Sequence, residues 1–246
     1  MIRDPRRLED LLADVRRFVR DVAIPNEDRV AEQDEIPAEI VDEMRARGYF
    51  GWSIPEEHGG AGLTTEELAL ANIEVSRCSV AYRARVGMNT GIGSESLIQD
   101  GTEEQKRRYL PRLASGEITG CLALTEPEAG SDATALQTTA VRDGDGHYRI
   151  SGRKRYITLA PIADLFTVFA RSAGGRRLFP GITADRLGRL ASGYGKAFSR
   201  YIRKIGVKGD EQVSFHSFRY AFADGCVVRV TAMRRVRRVS DTHRRL

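Results

Sequence analysis

The run Thr119-Gly120-Cys121-Leu122-Ala123-Leu124-Thr125, followed directly by Glu126-Pro127-Glu128-Ala129-Gly130-Ser131-Asp132, is where the chain changes character. Upstream of it, apolar residues recur at helical spacing. From Thr119 onward they fall into short apolar runs or alternate with polar ones. Leu136 to Val141 alternates, Asp143-Gly144-Asp145-Gly146 reads as a turn, and His147 to Ile150 and Arg155 to Thr158 alternate again. Asp164 to Ala170 is a further apolar run. A helical block followed by strands at hairpin spacing predicts an α+β chain, with an all-α N-terminal domain over 1–118 and an antiparallel β domain from 119 to 172.

Toward the N-terminus, Leu8, Leu11, Leu12, Val15, Phe18, Val19 and Val22 share one helical face within residues 6–23. Asp4 is placed to cap that helix, Pro5 to occupy its first position and Pro25 to stop it. A second helix is expected from about Pro37 through Met44 to Gly48, before the Gly-rich His58-Gly59-Gly60-Ala61-Gly62. Thr64 with Glu67 forms a capping box, in which hydroxyl and carboxylate each satisfy an orphan backbone N–H, and predicts a helix over 65–78. Thr102 with Gln105 repeats the device ahead of a short helix that should break at Pro111.

With 246 residues there is room for one large or two ordinary domains. A content of 41% hydrophobic and 30% charged residues sets aside disordered and fibrous classes. No apolar run approaches the ~20 residues that cross a bilayer, and Met1 to Asp10 lacks the apolar stretch of a signal peptide, so a cytoplasmic location and no membrane partner are expected. Cys78, Cys121 and Cys226 are scattered and form no C-x-x-C pair, which suggests ordinary buried or half-buried thiols rather than a disulfide framework or a metal site. The net charge of +5 divides unevenly. Residues 176–246 hold 17 Lys and Arg against 5 Asp and Glu, a balance of +12, while residues 1–175 hold 22 against 29, a balance of −7. Opposite signs suggest a basic nucleic-acid-binding part joined to an acidic enzyme part, or two pieces of different origin.

Leu124 to Asp132 is a strand running into a tight, hydroxyl-rich turn whose N–H groups, Thr125 and Ser131 suit a polar ring or a phosphate. A plain Pro-Gly loop capped by Ser and Asp is the commoner outcome of such spacing. Tyr156 and Thr158, two residues apart, would share one face of a strand, which equally fits a simple amphipathic strand.

Five linked stretches resemble the acyl-CoA dehydrogenase family over residues 1–172. Gly51-Trp52-Ser53-Ile54-Pro55 through Gly62, Asp100-Gly101-Thr102-Glu103-Glu104-Gln105-Lys106 and Leu113-Ala114-Ser115-Gly116-Glu117 resemble its N-terminal helical domain. Leu124 to Asp132 resembles the family's first flavin loop, and Lys154-Arg155-Tyr156-Ile157-Thr158 its second. The resemblance implies FAD as cofactor, an acyl-CoA substrate and a homo-oligomer. It places Leu122, Leu124 and Thr125 against the pyrimidine side of the flavin and Ser131 near the thioester or pantetheine arm. Tyr156 would lie over one flavin face, with Ile157 and Thr158 beside N5. In the family a carboxylate of a C-terminal helical domain removes the α proton while the β hydride passes to N5. No residue here resembles that base, so the chain by itself is expected to be truncated, to hold FAD weakly or not at all, and to be inactive.

Leu178-Phe179-Pro180, Ala191 to Gly206, and Phe215-His216-Ser217-Phe218-Arg219 resemble part of the catalytic domain of tyrosine recombinases, the phage integrases. The resemblance spans about 176–226 and implies phosphate contacts for His216 and Arg219. A half-buried His and an exposed Arg on a helix explain the same residues. The sequence thus predicts a third part, 173–246, small, basic and mostly helical. Its Arg-rich tail, from Arg229, is read as a solvated, non-native extension, and its charge permits non-specific DNA contact. A DNA-integration-related fusion or a functionless gene remnant is the alternative to a dehydrogenase role.

Overall fold

Asp4 caps the first helix as the sequence predicts, its Oδ1 accepting from the N–H groups of Arg6 and Arg7 at 2.9 and 3.1 Å. The computed structural model describes residues 2–143, 147–172 and 227–233. Helix α1 (Pro5–Phe18) turns Leu8, Leu12, Val15 and Phe18 inward. Pro25 does not stop the helical path. The chain widens into a π-helical turn at Val19–Ala23, tightens into a 3₁₀ turn at Ile24–Asn26 and resumes as α2 (Glu27–Gln33). Proline has no N–H to donate, and next to it the Asn26 side-chain amide donates to the Val22 carbonyl at 2.8 Å.

Helix α3 (Ala38–Ala46) ends toward Gly48, whose φ of 71° is left-handed. Both capping boxes form, at the starts of α4 (Thr65–Val75) and α7 (Glu103–Ala114), with α5 (Val80–Asn89) and α6 (Glu95–Asp100) between. Helix α4 stops short of residue 78, and α7 does not break at Pro111 but runs on to Ala114. Proline removes only its own N–H and crowds one carbonyl a turn earlier. Burial of Leu110, Leu113 and Ala114 on the inner face offsets that loss.

The chain divides into two compact units, one built on Met1–Leu122 and Ile157–Thr167, the other on Ala123–Tyr156 and continuing from Val168. In the helical unit Phe18 meets Tyr49 edge-on at 5.3 Å between centroids and Tyr82 at 6.1 Å, with Trp52 against Tyr49 at 5.1 Å. Such geometry suits the ring quadrupoles. A second apolar cluster gathers Ile54, Leu97, Leu110, Leu113, Ile118 and Leu165. Gly60 cannot be replaced within the Gly-rich loop, since a Cβ there would lie 1.9 Å from the Ile54 carbonyl oxygen. Asn89, fully buried at the end of α5, donates to the carbonyls of Leu113 and Ile118 and accepts from the Gly120 N–H, each at 2.9 Å.

The strands are β1 (Gly120–Ala123), β2 (Thr139–Arg142), β3 (Tyr148–Ser151), β4 (Leu165–Ser172) and β5 (Val227–Met233), in the sheet order β1-β4-β2-β3 with β5 also on β4. β2 and β3 form the expected antiparallel hairpin, from Thr139↔Ser151 to Arg142↔Tyr148. β2 and β4, by contrast, run parallel, pairing Thr139↔Arg171 and Ala140↔Ser172, so the sheet is mixed. A parallel neighbour needs a connection of about a dozen residues or more, and β3 with the loop over 152–164 provides it. β5 corrects another expectation. Part of the segment predicted to be mostly helical is a strand, and the sheet extends past residue 172. Its sequence, Val227-Val228-Arg229-Val230-Thr231, is dominated by β-branched residues that favour a strand.

Leu178 to Pro180, Ala191 to Gly206, His216, Arg219, Cys226, the turn residues 144–146 and the part of the Arg-rich tail beyond Met233 lie outside the described residues, whereas the start of that tail, from Arg229, belongs to β5. Of the other thiols, Cys121 is buried and Cys78 half-buried, both unpaired. No described helix is long and apolar enough to cross a membrane.

Candidate functional site

β1 delivers the chain into the loop over 124–132, where Glu126 and Ala129 exchange backbone hydrogen bonds at 2.9 and 3.3 Å across Pro127 and Glu128. Glu126 is turned inward, 5% exposed. Its carboxylate accepts from the backbone N–H groups of Gln137 and Thr138 and from Lys154 Nζ at 2.8 Å. The same ammonium donates to the Leu124 carbonyl at 2.9 Å, and the Arg155 N–H donates to the Thr125 carbonyl at 2.9 Å. Two loops nearly thirty residues apart in sequence are thereby fastened together. Close approach beside them requires Gly152, where a Cβ would lie 2.2 Å from Thr138 Oγ1. Burial acts to raise the Glu126 carboxyl, but the Gln137 N–H and the Lys154 ammonium outweigh it and pull the group down to about 2.

The predicted site residues occupy distinct environments. Leu122 is half-buried in β1, Leu124 is buried, and Thr125 is half-buried just beyond it. Ser131 is exposed at the far side of the turn. Tyr156 is 77% exposed, with φ of 56° and the Arg155 guanidinium 4.4 Å above its ring. Ile157, half-buried, and Thr158, exposed, fall in the helical unit at the start of a turn that runs to Ile162. Within the β unit the structure therefore brings Leu124, Thr125, Lys154, Arg155 and Tyr156 together.

Arg155 to Thr158 is not a strand. The left-handed backbone at Tyr156, repeated at Leu159 with φ of 60°, breaks the alternation, so Tyr156 and Thr158 share no strand face. Sequence reading also missed the Glu126–Lys154 pair. Its only local trace is a glutamate directly after an apolar strand, a placement that more often means solvent. Among the described residues no group of His, Cys, Asp and Glu could hold a metal ion.

Residues 6–117 match the acyl-CoA dehydrogenase N-terminal domain, and residues 121–217 match the acyl-CoA dehydrogenase middle domain. The chain carries the N-terminal and middle domains of the acyl-CoA dehydrogenase family. An acyl-CoA dehydrogenase of Bacillus subtilis is 36% identical over 197 residues, covering 79% of this chain and 50% of that protein. A 3-(aryl)acrylate reductase of Clostridium sporogenes is 43% identical over 163 residues, covering 64% of this chain and 43% of the reductase. The solved acyl-CoA dehydrogenase of Bacillus anthracis, complexed with FAD, superposes with a TM-score of 0.63 at 32% identity, covering 71% of this chain and 32% of that one. A glutaryl-coenzyme A dehydrogenase in complex with glutaryl-CoA gives a TM-score of 0.64 at 33% identity, covering 70% and 44%. The chain spans about half the length of the curated relatives it matches. The middle-domain match continues through residue 217, beyond the expected limit at 172, and takes in His216. The recombinase resemblance gains no support from the comparisons. It rested on a few positions around an H-x-x-R pattern, whereas the dehydrogenase middle-domain match runs through residues 176–217 of that stretch.

Proposed function

We propose that this chain is the flavin- and thioester-binding portion of an FAD-dependent dehydrogenase that desaturates acyl-CoA thioesters between the α and β carbons. One observation carries the reading. The Glu126–Lys154 pair and the Arg155-to-Thr125 hydrogen bond fix the two loops that bear the family's flavin motifs, and Tyr156 stands beside them with its ring open to solvent.

The residues present fit FAD. A fixed, exposed aromatic ring offers a face on which a planar ring system stacks. The carbonyls of Leu124 and Thr125 are already engaged by Lys154 and Arg155. The loop is thus left with N–H groups and the Thr125 hydroxyl, donors that suit the acceptor-rich pyrimidine edge of a flavin. Leu122, Leu124 and Thr125 would hold that edge, Tyr156 one ring face, Ile157 and Thr158 the side of the reacting nitrogen, and Ser131 the thioester arm. Bound there, FAD supplies the hydride acceptor. Glu126 is no candidate for removing the α proton, because a carboxyl held down to about 2 is far too weak a base near neutral pH. Residues 1–246 alone are accordingly expected to bind flavin weakly and to turn over no acyl-CoA.

Titration with FAD, followed by flavin fluorescence, tests the reading. Saturable quenching is expected, weakened roughly tenfold by Tyr156→Ala, the equivalent of about 1.4 kcal/mol for one lost aromatic stack. Absence of quenching, or quenching unchanged in both Tyr156→Ala and Thr125→Val, counts against it. The +12 balance of residues 176–246 favours a second property, non-specific contact with DNA. Its test is retention on duplex DNA that falls steeply with salt and is indifferent to sequence.

A further inference from the structure

Three successive cations, Arg153, Lys154 and Arg155, precede Tyr156 in the second loop of the β unit. Only the middle one is neutralised. Lys154 is half-buried, and its ammonium is taken up by the Glu126 carboxylate and the Leu124 carbonyl. Arg153 and Arg155 are exposed on either side of it. An exposed arginine ordinarily extends into water, but Arg155 is held at both ends. Its N–H donates to the Thr125 carbonyl at 2.9 Å, and its guanidinium folds back to lie 4.4 Å over the Tyr156 ring. Among the described residues no carboxylate pairs with that guanidinium.

The left-handed backbone at Tyr156 turns the ring outward, 77% exposed, and the guanidinium covers one of its faces. The opposite face is the one left for a ligand. The charges around this stack leave its cation in place: Glu126 is matched by Lys154, and the other acids of the first loop, Glu128 and Asp132, are exposed to solvent. A cation over an aromatic face is attracted by the ring quadrupole, and its field continues through the ring to whatever stacks on the far side. A ligand there displaces water from the open face, so the field is less screened where the two rings meet.

We propose that Arg155, acting through the Tyr156 ring, makes this site prefer a negatively charged flavin ring to a neutral one. Arg155 is on this view a positioning residue that tunes the flavin without touching it. The inference rests on the dehydrogenase reading. A hydride from the β carbon of the acyl thioester brings the flavin two electrons and one proton, so the neutral oxidised ring gains one negative charge. At acid pH a second proton, taken from water, cancels that charge. The reduced ring should therefore be held more tightly than the oxidised one at mildly alkaline pH and not at acid pH. For one unit charge acting across a single ring in partly screened surroundings, the preference is about threefold.

Spectroelectrochemical titration of FAD with a large excess of the full chain measures this preference as the potential of the bound flavin against that of free FAD, the electrons coming from the electrode. At mildly alkaline pH, Arg155→Met should remove the roughly threefold preference, which is ~14 mV for a two-electron couple. Arg155→Lys should restore most of it, and Arg153→Met, which deletes an exposed cation outside the stack, should change it less. At acid pH the wild type and Arg155→Met should coincide, an outcome that a merely structural role for Arg155 would not produce. Affinity for oxidised FAD, followed by fluorescence quenching, should differ by less than about twofold between the two, since an exposed cation–π contact contributes little to holding a neutral ring. No shift in Arg155→Met, a shift that persists at acid pH, or an equal shift in Arg153→Met overturns the proposal and leaves the dehydrogenase reading intact. Failure of the wild type to bind flavin in either state overturns both.

Discussion

In the helical unit the largest fully buried side chains are aromatic and aliphatic, with Phe18, Tyr49, Trp52 and Tyr82 all at 0–1% exposure in one cluster. In the β unit the deepest contact of the two loops is ionic, Glu126 against Lys154 with two backbone N–H groups completing the carboxylate's shell. The contrast follows from what each part has to present. Helices can turn whole apolar faces inward. Loops that must keep hydroxyls, N–H groups and one aromatic ring open to a ligand have little apolar surface left to pack. They are held by a few directional contacts whose loss leaves a buried charge exposed to no partner.

Mutations that separate the two modes should break or sharpen this contrast. The largest effect is expected from Trp52→Ala, which removes a side chain 1% exposed and should cost about 3–5 kcal/mol in urea unfolding followed by far-UV circular dichroism. Lys154→Met comes next, at about 3 kcal/mol, because it strands the Glu126 carboxylate. Adding Glu126→Gln should recover only part of that loss, because the amide oxygen can accept from one of the two backbone N–H groups while its NH2 meets the other; a double variant less stable than Lys154→Met alone would show that these N–H contacts outweigh the stranded charge. Acid tests the same pair. A carboxyl depressed in the folded state adds stability that is complete above its ordinary range and fades as pH falls from about 4.5 toward about 2. The wild type should therefore lose stability steeply across that window and the Glu126→Gln, Lys154→Met variant much less so. Thr64→Ala should cost about 1 kcal/mol by removing half of a capping box. Tyr156→Ala should change the unfolding midpoint least, by under about 0.5 kcal/mol, since its exposed ring serves binding rather than stability.

What could be read in advance was whatever closes on itself within a few residues. Thr64 with Glu67 and Thr102 with Gln105 satisfy their backbone donors locally, and both boxes form where predicted. The switch from helix to strand near Thr119 is a change of period and was legible for the same reason. The Glu126–Lys154 pair joins residues 28 apart, the parallel pairing of β2 with β4 is a matter of topology, and the left-handed backbone at Tyr156 has no glycine or asparagine to announce it. The burial of Arg85 on α5 was missed because an arginine on a helix is ordinarily solvated. Only the packing of α5 against Phe50 takes it out of water.

Asn89 has one consequence for how this fold tolerates change in length. Its amide spends both donors on Leu113 and Ile118 and its oxygen on Gly120, so a single buried side chain measures the passage from α7 to β1. One residue inserted or deleted between Ala114 and Thr119 would strip a buried group of its partner, whereas Asp143 and His147, which flank the hairpin strands, are exposed. Insertions in natural or engineered variants should therefore collect at the hairpin and spare the passage, whose length is set by a polar ruler inside the fold.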